Sequence, residues 1–145
     1  MSRDWVVDAN VGVKPYLLGE ELSEVAESLL QRARAGRSFI YVPELFYNEC
    51  TNILWKHVRK GEISAEYAHQ SLRNLTSVKL FPISSTNLVH DALDLALEFG
   101  LTAYDASYVA LSEDLGLPLV TADEKLIRKL DGAGIDLCWL GNLPA

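Results

Sequence analysis

The chain has 145 residues, 49% of them hydrophobic and 23% charged, and a formal net charge of −7. That length suits one domain able to bury roughly 70% of the surface its unfolded form exposes, and the composition excludes a disordered chain. The negative charge argues against broad electrostatic attachment to nucleic acid, and no apolar run approaches the ~20 residues needed to span a bilayer.

In chain order, Trp5-Val6-Val7 is a short apolar run that ends at Asp8 and predicts a buried strand. Residues 10–18 carry Val11, Val13, Tyr16 and Leu17, a turn or short helix interrupted by Pro15. From Leu22 to Ala35 the apolar positions follow helical spacing, and Gly36 closes the run as a C-cap. Phe39 to Val42 is the second strand, punctuated by Pro43. Residues 44–60 form a helix whose apolar stripe holds Phe46, Cys50, Ile53, Leu54 and His57; Gly61 stops it. Ser64 can cap a helix running to about Leu75. Val78 to Ile83 is a weaker strand, and Pro82 places it at an edge or a strand end. Thr86 to Phe99 is amphipathic through Leu88, Val89, Ala92, Leu93, Ala96 and Leu97, and Gly100 ends it. A helix from about Ala103 to Leu115, a strand from Leu117 to Thr121, a helix from Asp123 to Leu130 and a strand from Ile135 to Leu140 complete the chain.

Strands alternating with helices predict an α/β fold: a three-layer α/β/α sandwich around a mostly parallel sheet, with residues 1–145 as a single domain. In such sheets ligands bind beyond the carboxyl ends of the strands, where Asp8 and Asp123 fall. Cys50 and Cys138 lie in apolar segments and read as core thiols of a reducing compartment. Arg3, Asp4 and Asp8 break any signal-peptide core, so the expected location is cytoplasmic. Residues 80–124 contain no Lys or Arg, whereas basic residues collect at Arg32, Arg34 and Arg37 and at Lys56, Arg59 and Lys60.

Four acids stand out, and each also has an ordinary structural role. Asp8 could cap a helix or a turn. Glu49 shares the inward stripe of its helix with Phe46 and Ile53, and its own helix offers no cation at the neighbouring positions. Asp105 sits in a loose capping box with Thr102. Thr121 and Glu124 match a capping box better, which leaves Asp123 free to face a pocket. Converging carboxylates without His or Cys make a hard-oxygen site suited to Mg²⁺ or Mn²⁺. The histidines, His57, His69 and His90, have no ligand spacing, and no phosphate-binding glycine loop or nucleophile elbow occurs.

With these motifs placed, VVDANVGVKPYL, VPELFYNECTNILWK and FGLTAYDASYVALSEDLGLPLVTADEKLIRKL, the chain resembles PIN-domain ribonucleases of the VapC toxin type over residues 5–140. The resemblance implies a parallel-sheet sandwich, metal-dependent endoribonuclease activity with Mg²⁺ or Mn²⁺, an antitoxin partner and a homodimer. It implies site roles for Asp8, Glu49, Asp105 and Asp123, with Asn10 and Thr121 as supporting polar residues. Asp8, Asp105 and Asp123 are the expected ligands, while Glu49 orients or deprotonates water or ligates a second ion. The basic rim is expected to hold the RNA. Alternatives are a PIN nuclease of RNA processing without toxin function, or a silent PIN-like interaction module. A haloacid-dehalogenase-type phosphotransferase is a weaker rival, since VVDAN has Asn10 where that family has its second acid.

Overall fold

The structure, a computed structural model, describes residues 3–144. Five parallel strands form one sheet: β1 (Trp5–Val7), β2 (Ile40–Pro43), β3 (Phe81–Ile83), β4 (Leu119–Thr121) and β5 (Leu137–Trp139), in spatial order β3-β2-β1-β4-β5. Seven helices cover it: α1 (Ala9–Val13), α2 (Ser23–Arg34), α3 (Phe46–Arg59), α4 (Ala65–Ser77), α5 (Val89–Phe99), α6 (Ala103–Leu115) and α7 (Glu124–Lys129). The α/β/α sandwich read from the sequence is the fold.

Strand burial follows this order. β1 and β4 are buried at every residue, as inner strands of a sheet covered on both faces should be. The edge strands β3 and β5 are only partly buried, and Pro82 lies in β3, where a missing ladder donor is tolerated. The chain leaves β1 towards β2 on one side and reaches β4 on the other, so the order reverses between β1 and β4. A crevice opens beyond the carboxyl ends of strands at such a reversal. Asp8 follows β1 there, and its amide donates to the Val120 carbonyl of β4 at 3.1 Å.

Gly12 sets how closely α1 approaches α3. A Cβ at this position would come within 2.5 Å of Phe46 Cζ, and Phe46 is fully buried, so the ring has nowhere to retreat. This contact brings the start of α3, and with it Glu49, alongside the turn that carries Asp8.

Several element boundaries differ from the sequence reading. β2 begins at Ile40, because the Phe39 amide is taken by Asp4 Oδ1 at 3.0 Å and its ring lies 46% exposed against Phe81. β3 and β5 shrink to three residues each. A 3₁₀ turn at Ser85–Asn87 precedes α5, which starts at Val89. The apolar arc of α5 is only half used: Leu88 and Ala92 are buried, whereas Val89, Leu93 and Leu97 are 51, 54 and 76% exposed. These three form one row at four-residue spacing.

Candidate active site

Asp8 is the most enclosed of the four acids at 6% exposure, and it caps α1 by accepting the Asn10 amide on Oδ1 at 3.3 Å. Its other oxygen, Oδ2, accepts the Thr121 hydroxyl at 3.0 Å. Thr121 ends β4, is fully buried, and its Oγ1 also accepts the Asp123 amide at 3.0 Å. One hydroxyl therefore ties the carboxylate after β1 to the chain after β4, across 113 positions of sequence. Asn10 itself is exposed and touches the site through its backbone.

Asp123, not Thr121, is the N-cap of α7, and its Oδ1 accepts the amides of Lys125 at 2.9 Å and Leu126 at 3.3 Å. This corrects the expectation that Glu124 caps and leaves Asp123 free. Thr121 is held in the strand, so the cap passes two residues on, and Asp123 divides its oxygens between the helix end and the cleft. Asp105 behaves as its motif suggests: Thr102 Oγ1 accepts the Asp105 amide at 3.0 Å and starts α6.

Glu49 finds its partner outside its own helix. Tyr108, on α6, donates its hydroxyl to Glu49 Oε1 at 2.6 Å. Tyr108 is 1% exposed, and burial followed by the Glu49 charge pushes its phenol far above the usual range, so it stays a donor. Sequence reading missed Tyr108. An aromatic inside an apolar helix looks like core, and its only distinguishing signal is a hydroxyl that a buried site must satisfy.

The carboxylates act on one another. Burial pushes Asp8 up to about 7, against the hydrogen bonds from Thr121 and Asn10, with Asp105 and Glu49 adding repulsion. Glu49 is raised by burial and by Asp105, partly offset by Tyr108. Asp105 is raised by burial and by Asp123, and lowered by Thr102 and Lys129. Asp105 thus links all four. Among the described residues none of the four forms an ion pair with Lys, Arg or His. Lys129, which lowers Asp105, has its ammonium committed to the Gly100 carbonyl at 2.9 Å.

This uncompensated oxygen set fits a hard divalent cation. Among the described residues, no three His, Cys, Asp or Glu side chains form a ready-made cage. Mg²⁺ is a cation for which a few carboxylates, sharing the ion with water and substrate phosphate, suffice. The histidines stand apart, with His57 paired to Glu62. Both cysteines are free, and Cys50 is a buried thiol pushed far up by burial and by the Asp8 and Glu49 charges.

The basic residues expected to hold substrate are engaged elsewhere in part: Arg34 pairs with Glu27 at 3.2 Å, and Arg59 lies 4.9 Å over the Trp55 ring. The cleft that opens beside Asp123 and Asn10 holds Lys14, Lys125 and Arg128 together with the acids Glu20, Glu21 and Glu124.

A family model described as PIN domain matches residues 5–132. Ribonuclease VapC3 of Pyrobaculum aerophilum is 37% identical over 86% of this chain and 92% of its own length. Exonuclease VapC9 of the same organism is 36% identical over 67% of this chain and 71% of its own. A toxin–antitoxin complex from Klebsiella pneumoniae superposes with a TM-score of 0.63 over 93% of this chain and 96% of that one; at 14% identity it speaks for the fold.

Proposed function

The chain belongs to the PIN-domain family, among its VapC-type members, and from that premise we propose that it is a divalent-metal-dependent endoribonuclease and the toxin of a toxin–antitoxin pair. The reading is supported by the mutual repulsion that, with burial, raises Asp8, Glu49 and Asp105 and that reaches Asp123 through Asp105, with none of the four in an ion pair among the described residues. RNA as the substrate class, and nuclease activity itself, rest on the relatives' names.

Asp8, Asp105 and Asp123 would hold Mg²⁺ or Mn²⁺, directly or through water. The ion, when bound, relieves charge on the phosphate oxygens and acidifies water. The protein's part is orientation. Thr121 fixes the Asp8 carboxylate, and Tyr108 occupies Oε1 of Glu49. Oε2 of Glu49 is left to orient the attacking water and accept its proton, or to ligate a second ion. Asn10 supports the site by fixing Asp8 through its amide.

The test is cleavage of single-stranded and structured RNA in Mg²⁺ or Mn²⁺, with a circular RNA included to separate internal cutting from exonucleolytic trimming. Loss of cutting in EDTA and in Asp8→Asn and Asp105→Asn is expected; cutting that persists refutes the metal site. Calorimetry with Mn²⁺ separates a nuclease from a silent interaction module. The partner reading predicts that the product of an adjacent small reading frame suppresses cutting when co-expressed. The homodimer is supported by the exposed apolar row Val89, Leu93 and Leu97. Leu93→Glu should leave a monomer by light scattering. Both thiols being free accords with a cytoplasmic location, and no helix among the described residues is long and apolar enough to cross a membrane.

A further inference from the structure

The cleft beside Asp123 has a volume of about 680 Å³; its wall carries the cations Lys14, Lys125 and Arg128, the acids Glu20, Glu21 and Glu124 beside Asp123, and one aromatic, Trp139. Its position is fixed by the sheet: Trp139 is the strand partner of Thr121, the residue that bridges Asp8 and Asp123. Paired residues of neighbouring parallel strands point to the same side, so the indole is delivered to the rim of the carboxylate site. Gly141 lets it settle there. A Cβ at Gly141 would come within 2.4 Å of the Trp139 indole nitrogen, so the ring rests directly on bare backbone. Leu22, which also lines the cleft, is the one non-glycine residue of positive φ, at 65°, among the described residues. Such a conformation carries a steric cost and is kept where the loop's shape matters.

Two of the three cations of this cleft, Lys125 and Arg128, are loosely held. Arg128 faces Glu124 at 3.9 Å with side chains 68 and 70% exposed, whereas Lys14, only 13% exposed, is held more firmly against Glu20 at 3.4 Å. An exposed pair such as Arg128–Glu124 contributes little, so an incoming phosphate can replace Glu124 at small cost. Lys125 forms no ion pair among the described residues.

We propose that this cleft is a nucleotide subsite in which Trp139 stacks an unpaired base and Lys125 and Arg128 take the neighbouring phosphates. The subsite rests on the nuclease reading for its purpose, and it gives that reading a preference for single-stranded RNA, because a paired base cannot stack on a side chain.

The probe is a fluorescein-labelled decauridylate bound to the full-length protein in Ca²⁺, compared with the same strand made abasic at every position. Trp139→Ala should weaken decauridylate binding about 5- to 150-fold and leave the abasic strand unchanged, while Trp139→Phe recovers most of the loss. Gly141→Ala, which displaces the ring without removing it, should weaken base-dependent binding as well. Lys125→Ala and Arg128→Ala should each lower the salt slope by about 0.7 and affect both strands alike. Equal binding of both strands by wild type, or equal losses on both for Trp139→Ala, overturns the stacking subsite, as does failure of wild type to bind decauridylate. Cutting of RNA by wild type in Mn²⁺ is scored separately: base-dependent binding without cutting removes the nuclease and keeps the subsite, and cutting without base dependence does the reverse.

Discussion

Replacing Tyr108 by Phe removes a single oxygen from the core and keeps the ring that α6 packs inward. That oxygen donates to Glu49 at 2.6 Å, a length typical of a hydrogen bond to an ionised acceptor. Hydrogen bonds to charged groups contribute ~1.5–3 kcal/mol when buried, and Glu49 is half-buried, so ~1–2 kcal/mol is the expected loss of stability. For a domain of this size that lowers Tm by about 3–6 °C. The larger effect falls on turnover. With Oε1 released, Glu49 can rotate, and a base that samples several rotamers is misplaced for most of the time. A fall in kcat of about 10- to 100-fold with little change in KM is expected. Because the Tyr108 hydrogen bond lowers the Glu49 pKa, its loss moves the acidic limb of the rate profile to higher pH. The assay is single-turnover cleavage of labelled RNA from pH 5 to 9, with Glu49→Gln and the double variant alongside. If Tyr108 acts through Glu49, the hydroxyl has no further effect in the Glu49→Gln background. Additive losses, or a fall in kcat that only tracks the unfolded fraction, would refute the reasoning.

Asp8 makes the metal-free protein pH-sensitive. Its folded-state pKa of about 7 lies above the ordinary carboxylate value, so the stability it contributes is complete below about pH 4 and is lost as the pH rises to about 7. Asp8→Asn should therefore raise the metal-free Tm at pH 8, by at most ~4 kcal/mol of stability, while abolishing cutting; thermal melts across pH check the sign. Mn²⁺ should raise the Tm of wild type at pH 8 more than at pH 5, and should do little for Asp8→Asn. Thr121→Val keeps the shape of the side chain but strands the Asp123 amide and one oxygen of Asp8. It should cost ~1–3 kcal/mol in denaturant titrations and weaken Mn²⁺ binding by calorimetry. Gly12→Ala drives a methyl against Phe46 and should cost ~1–3 kcal/mol, with a drop in kcat as α3 moves Glu49 away from Asp8; an unchanged Tm would show that the helices part freely.

The α5 segment shows where sequence patterning stops. Its apolar arc is real, and Leu88 and Ala92 are buried as that arc predicts, yet Val89, Leu93 and Leu97 face outward. Helical periodicity states which side of a helix is apolar and is silent on how much of that side its neighbours cover. The end of β4 makes the same point for caps. Thr121 and Glu124 have capping-box spacing, but Thr121 spends its hydroxyl on Asp8, and the cap falls to Asp123.

What the sequence determined by itself was local or periodic: the alternation of strands and helices, the Ser64 and Thr102 caps, and the strand-end placement of Asp8. The ordered motifs identified the four acids as a set. What only the tertiary structure decided was contact between distant segments. The strand order set Asp8 beside Thr121 and Thr121 beside Trp139. Helix packing through Gly12 and Phe46 set Glu49 within reach of Tyr108, 59 residues further on. The reason is physical. Propensity and periodicity act within a few turns of chain, whereas a hydrogen bond between α3 and α6 depends on how every intervening strand and helix has packed.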